Sequence, residues 1–87
     1  MEKTEVKTSD MPLDRQSEVV QIAQDAMKKK TVERDIAEEI KSALDTKYGP
    51  NWHVIVGKDF GTKVSHEKGN FIFFYVGDKA VQVFKFG

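Results

Sequence analysis

From Val32 to Tyr48 apolar residues recur every four positions, at Val32, Ile36, Ile40, Leu44 and Tyr48, with Ala37 and Ala43 beside them and Glu38, Glu39 and Lys41 on the other side. That spacing predicts an amphipathic helix. Thr31 is its expected N-cap, Glu33 and Asp35 fall in its first turns, and Gly49 followed by Pro50 stops it. Upstream, Leu13, Val20, Ala23 and Met27, widened by Val19 and Ala26, form a second stripe at helical spacing. Asp10, Met11 and Pro12 announce that helix, Asp10 as cap or dipole partner, and it should end near Lys30. After Pro50 the period changes. Three runs rich in β-branched and aromatic residues (52–56, 60–67, 71–76) follow, punctuated by Gly57, Gly61 and Gly69, and a tight Gly77-Asp78 turn leads to a last strand over 80–86. The opening residues 2–9, where Thr4, Val6 and Thr8 alternate with charges, read as a short edge strand or a flexible tail.

Side chains alternate across a strand, so Trp52, Val54 and Val56 share one face while His53 and Ile55 share the other. Likewise Phe71, Phe73 and Tyr75 oppose Ile72, Phe74 and Val76, and Val81 and Val83 oppose Phe84 and Phe86. A sheet apolar on both faces must be covered on both. Two helices with one stripe each suffice for one face, and nothing else in the chain remains for the other. The pattern therefore predicts an α+β fold, two helices on an antiparallel β-sheet, that dimerises sheet against sheet.

The chain has 87 residues, one domain's worth, and no cysteine, which suits a reducing, intracellular compartment without disulfides. Lys plus Arg balance Asp plus Glu at 14 each, so no global attraction to nucleic acid or an anionic membrane is expected. No run approaches the roughly 18 apolar residues of a membrane span, and the charged start over 1–10 lacks the apolar core of a signal peptide.

Candidate chemistry is sparse. Lys28, Lys29 and Lys30 fit the cationic C-terminus of a helix better than a polyanion site, since no aromatic residues are interleaved with them. His53 and His66 are too few for a metal centre. His53 is either a neutral core histidine or a pH-sensitive dimer contact, whose protonation as pH drops through roughly 6 would bury a charge. Ser65 and His66 suggest a hydrolase only superficially, because adjacent strand residues face opposite ways and no third member is placed. No catalytic residue, metal or cofactor is expected. The moderately polar run from Phe60 to Glu67 reads as an edge strand, polar to block aggregation or open to an added strand.

Three segments carry a longer resemblance: Lys47-Tyr48-Gly-Pro-Asn-Trp52-His53-Val-Ile-Val56-Gly57, Asp59-Phe60-Gly61-Thr-Lys-Val64-Ser-His66-Glu67, and Phe71-Ile72-Phe73-Phe74-Tyr75. They closely resemble the small light chain of cytoplasmic and axonemal dynein, over about residues 11–87. The resemblance implies a homodimeric β-sandwich with helices outside, in which residues 62–66 cross over as a strand exchanged between subunits. It further implies a dimerisation hub in the cytoplasm, on the cytoskeleton or in the cilium. Partner segments would add as extra strands in two equivalent grooves, with avidity from holding two chains at once.

Mapped onto this chain, the resemblance makes Phe60, Gly61, Thr62, Lys63, Val64, Ser65 and His66 the peptide-pairing strand. Phe71, Phe73, Tyr75, Ala80 and Gln82 become the groove wall, and Glu33 and Arg34 the holders of the glutamine in a Thr-Gln-Thr core. His53, Ile55, Thr62, Lys63, Val64 and Ser65 fall at the dimer interface. Implied partners are a second copy, the dynein intermediate chain and other proteins with Thr-Gln-Thr-like motifs, but no nucleic acid and no membrane. A regulator or inhibitor working through the same groove without a motor is the alternative. Lys63 replaces the family's usual aromatic residue, Ser65 its threonine and Ser42 its lysine, while Phe73 and Gln82 alter the wall. Phe86 occupies a serine position proposed as a phosphorylation switch in relatives, so that switch should be absent.

Overall fold

The structure, a computed structural model, describes residues 3–58 and 67–87. Along the chain run β1 (Thr4–Ser9), α1 (Leu13–Lys29), α2 (Glu33–Tyr48), β2 (Trp52–Gly57), β3 (Phe71–Val76) and β4 (Lys79–Lys85). The strands form one sheet in the order β1-β3-β4-β2, with all three pairings antiparallel. The Gly77-Asp78 turn joins β3 to β4, with Gly77 in the left-handed region at φ 61°. The opening segment is an edge strand paired with β3, and a bulge between Val6 and Thr8 interrupts its register.

Both helices lie on the same face of the sheet. Val19, Ala23 and Ala26 of α1 and Ile36, Ile40 and Leu44 of α2 join Trp52, Ile72, Phe74, Val76, Val81 and Val83 in one buried core. Each large side chain fully withdrawn from water there contributes about 1.5–3 kcal/mol. The small residues of α1 let it sit close, and its buried stripe is centred on Val19, Ala23 and Ala26, with Val20 and Met27 at its margin. Leu13, expected in that stripe, is 80% exposed. It occupies the first residue of α1, before the helix has turned onto the core.

The helix termini differ from expectation in their chemistry. Val32, not Thr31, is the N-cap of α2, and no side chain caps its first amides. Pro12 precedes α1, while the Asp10 carboxylate accepts the amides of Gly69 and Phe71 instead of capping the helix. Gly49, at φ 81°, ends α2 as its position beside Pro50 foretold.

Lys41, expected on the solvent side, instead ties α2 to β2. Its Nζ donates to Asp45 Oδ2 at 2.8 Å and to the Trp52 carbonyl at 2.7 Å, and Asp45 Oδ1 accepts the Trp52 amide at 2.9 Å. The hydrogen bond from Lys41, followed by that from the Trp52 amide, holds the Asp45 carboxyl below the usual carboxylate range despite some desolvation. A carboxyl whose pKa is lower folded than unfolded stabilises the fold above its unfolded value, near 4, and loses that effect as pH falls through the folded value. Asp45→Asn should therefore cost about 1.5 kcal/mol at neutral pH in urea unfolding, with the difference from wild type shrinking below about pH 4. A cost that does not vary with pH would contradict the charge-assisted link.

Candidate partner-binding face

The sheet's second face is built by the alternate residues of the same strands. Antiparallel register sets His53 beside Phe84 and Phe84 beside Phe71, Ile55 beside Gln82 and Gln82 beside Phe73, and Tyr75 beside Ala80. Phe73 and Tyr75 meet edge to face at 5.7 Å, and the His53 ring stacks on Phe84 at 5.2 Å. Ala80 and Gln82, on the central strand, are buried, while Ile55, Phe71, Phe73, Tyr75 and Phe84 are only half-buried. Among the described residues, neither helix contributes to this face.

His53 is exposed within the single chain, and its Nε2 lies 3.1 Å from the Phe86 carbonyl. Phe86 is itself exposed, at the end of the chain beyond β4. Among the described residues no three His, Asp or Glu side chains converge. Likewise no described helix is long and apolar enough to cross a membrane.

The start of α2 approaches the hairpin end of the sheet. Glu33 Oε2 is 3.6 Å from Lys79 Nζ, and Lys79 directly precedes Ala80. Lys79 shares the helix-covered face with Val76, Val81 and Val83, so Glu33 meets this end of the sheet from the helix side, while Ala80 and Tyr75 face the other way. Arg34 behaves differently: its side chain is 87% exposed and pairs with Asp35 at 3.8 Å. The expected residues 60–66 lie outside the described residues.

Sequence reasoning missed the β1 side of this end. Lys7 Nζ sits 5.8 Å from the centre of the Tyr75 ring and 3.0 Å from Glu5 Oε2, and Lys3, Glu5, Lys7, Tyr75 and Gly77 line an open cavity of about 270 Å³. The signal was present in the alternation of Thr4 and Val6, which turns Glu5 and Lys7 the other way before the bulge brings Thr8 opposite Phe73. Only the pairing of Glu5 with Tyr75 reveals which wall they join.

Comparison with known proteins decides the family. The family model for dynein light chain type 1 matches residues 3–86. The chain belongs to the dynein light chain family. It is 53% identical over 85 residues to the cytoplasmic dynein light chain 1 of Candida glabrata, covering 98% of this chain and 99% of that protein. The Saccharomyces cerevisiae protein of the same name is 51% identical over 80 residues, covering 92% and 87%. Among solved structures, the dynein light chain-like domain of the Fasciola hepatica calcium binding protein FhCaBP2 superposes with a TM-score of 0.83 at 26% identity, covering 97% of this chain and 92% of that one. The DLC like domain of CsTAL3, at 22% identity and a TM-score of 0.71 over 94% of this chain and 90% of that one, shares the fold.

Within this dynein light chain the Glu33–Lys79 pair is partly solvated, so it contributes little to stability. Glu33→Gln should shift the unfolding free energy by no more than about 0.5 kcal/mol in urea titration. A loss several times larger would give Glu33 a structural role in place of a binding one.

Proposed function

We propose that the chain acts as a non-catalytic homodimeric dynein light chain and dimerisation hub in the cytoplasm. In this reading it binds short linear motifs of partner proteins, the dynein intermediate chain among them, by strand addition in two grooves at the dimer interface. The observation that carries this reading is the second sheet face, where Ile55, Phe71, Phe73, Tyr75 and Phe84 stand half-buried with neither described helix against them. An apolar surface of that kind marks an interaction site.

The ends of the 59–66 segment leave room for strand exchange. Gly57 lies opposite Ala80, and the Glu67 amide donates to the Lys85 carbonyl at 2.9 Å, so the segment begins and finishes at opposite ends of β4. That separation is about 17 Å at strand rise, and eight extended residues reach roughly 27 Å. The segment is thus long enough to run as a strand, and in a dimer residues 62–66 would pair in the partner's sheet. Thr62, Lys63, Val64 and Ser65 would then join His53 and Ile55 at the interface, where a protonated His53 would bring charge into a desolvated contact.

Residues 60–66 would offer the free strand edge, and Phe71, Phe73, Tyr75, Ala80 and Gln82 would line the groove. At its end Glu33 would accept the amide donor of a glutamine, while the uncapped amides at the start of α2 would meet its carbonyl. Arg34 would have to turn away from Asp35 to take part. Binding without a motor, as a regulator of other proteins, would use the same groove.

Calorimetric titration with a peptide containing a Thr-Gln-Thr core should give one peptide per chain. Glu33→Ala or Tyr75→Ala should weaken it about tenfold, the loss expected for one charge-assisted hydrogen bond or one buried aromatic contact. A folded dimer that ignores the peptide would refute the motif.

Dimerisation separates the two faces. Ile72→Ala, in the helix-covered core, should cost about 3 kcal/mol at every protein concentration. Ile55→Ala should cost less, and its cost should grow where the dimer is populated. Equal costs independent of concentration would place both residues in a monomer core.

A further inference from the structure

The four residues that follow the 59–66 segment are held more tightly than an exposed polar turn requires. Within the turn, the Asn70 amide donates to the Glu67 carbonyl at 3.1 Å. Asp10 then grips it with both carboxylate oxygens, Oδ2 accepting the Gly69 amide at 3.0 Å and Oδ1 the Phe71 amide at 2.9 Å. The Asp10 amide closes the ring by donating to the Phe71 carbonyl at 3.1 Å. Gly69 sits at φ 81°, a conformation that glycine adopts without a steric penalty.

A second grip comes from α1. Arg15 Nη1 donates to Asn70 Oδ1 at 2.7 Å, and the same guanidinium lies 4.5 Å from the centre of the Tyr48 ring. Tyr48 is the last residue of α2, so Arg15 links the turn to both helices. On the far side the Lys85 amide donates to the Asn70 carbonyl and the Glu67 amide to the Lys85 carbonyl. Asp10, α1 and β4 all hold the turn.

Loops on a surface are ordinarily the variable and mobile part of a fold. One carboxylate accepting two backbone amides fixes both the position and the direction of the chain there, since charge-assisted bonds are short and directional. In the proposed dimer, the direction of the chain at Glu67 would constrain the path by which residues 62–66 reach the partner. We infer that Asp10 and Arg15 are positioning residues for the exchanged strand: by fixing the turn at 67–70 they aim the crossing segment at the partner subunit, and so set the strength of the dimer. The inference rests on the strand-exchanged dimer proposed above.

It is tested on the full chain by the dimer dissociation constant from sedimentation equilibrium, read beside urea unfolding. Asp10→Asn, which cannot accept both amides, should raise that constant about tenfold, and Arg15→Met about threefold. Ile40→Val, a core change remote from the turn, should lose stability and leave the constant within about twofold. If Asp10→Asn fails to fold, Arg15→Met carries the test alone. Variants that lose stability like Ile40→Val while keeping the wild-type dimer constant would overturn the inference and leave the dimer standing. A wild-type chain that stays monomeric would overturn both.

Discussion

Among the described residues, a four-stranded sheet has apolar residues on both faces and helices against only one, and the rest of the molecule depends on that constraint. Helix packing takes up Trp52, Ile72, Phe74, Val76, Val81 and Val83. The opposite register leaves Ile55, Phe71, Phe73, Tyr75 and Phe84 half-buried. Both sets follow from the same alternation, so no substitution of register could hide one without exposing the other. In the proposed reading, a chain of this size would meet such a surplus of apolar surface by association rather than by a larger core.

The same constraint organises the candidate site. Central-strand residues Ala80 and Gln82 are small or polar and buried, with aromatic residues flanking them on β3. That profile makes a shallow floor with a raised wall. Charged groups gather at the hairpin end of the sheet, Glu33 and Lys79 on the helix side and Glu5 and Lys7 on the Tyr75 side. Apolar area would supply affinity along the floor and polar groups would supply selectivity at its end, a division common in binding clefts.

Much of this was legible in the chain itself. Four-residue spacing marked α2, and Ile36, Ile40 and Leu44 are buried as it requires. Two-residue alternation sorted the strand residues onto their faces. Where local reading failed, tertiary contacts had overruled it. Lys41 looked like a solvent residue because its position on the helix is polar, yet it reaches the carbonyl of Trp52, eleven residues away. Asp10 looked like a helix cap because it precedes Pro12, yet its carboxylate serves amides at Gly69 and Phe71. Lys7 had no visible role until β1 paired with β3. Hydrophobic periodicity reports which face a residue takes, whereas long polar side chains choose partners that only the folded topology brings near.

The most direct measurement is the solution mass of the whole chain by sedimentation equilibrium, at micromolar concentration and neutral pH. A mass twice that of the 9.9 kDa chain is the result predicted by a sheet whose second face needs a second copy. A mass of one chain, in a folded protein, would mean that this face is stable in water alone and would contradict the central claim.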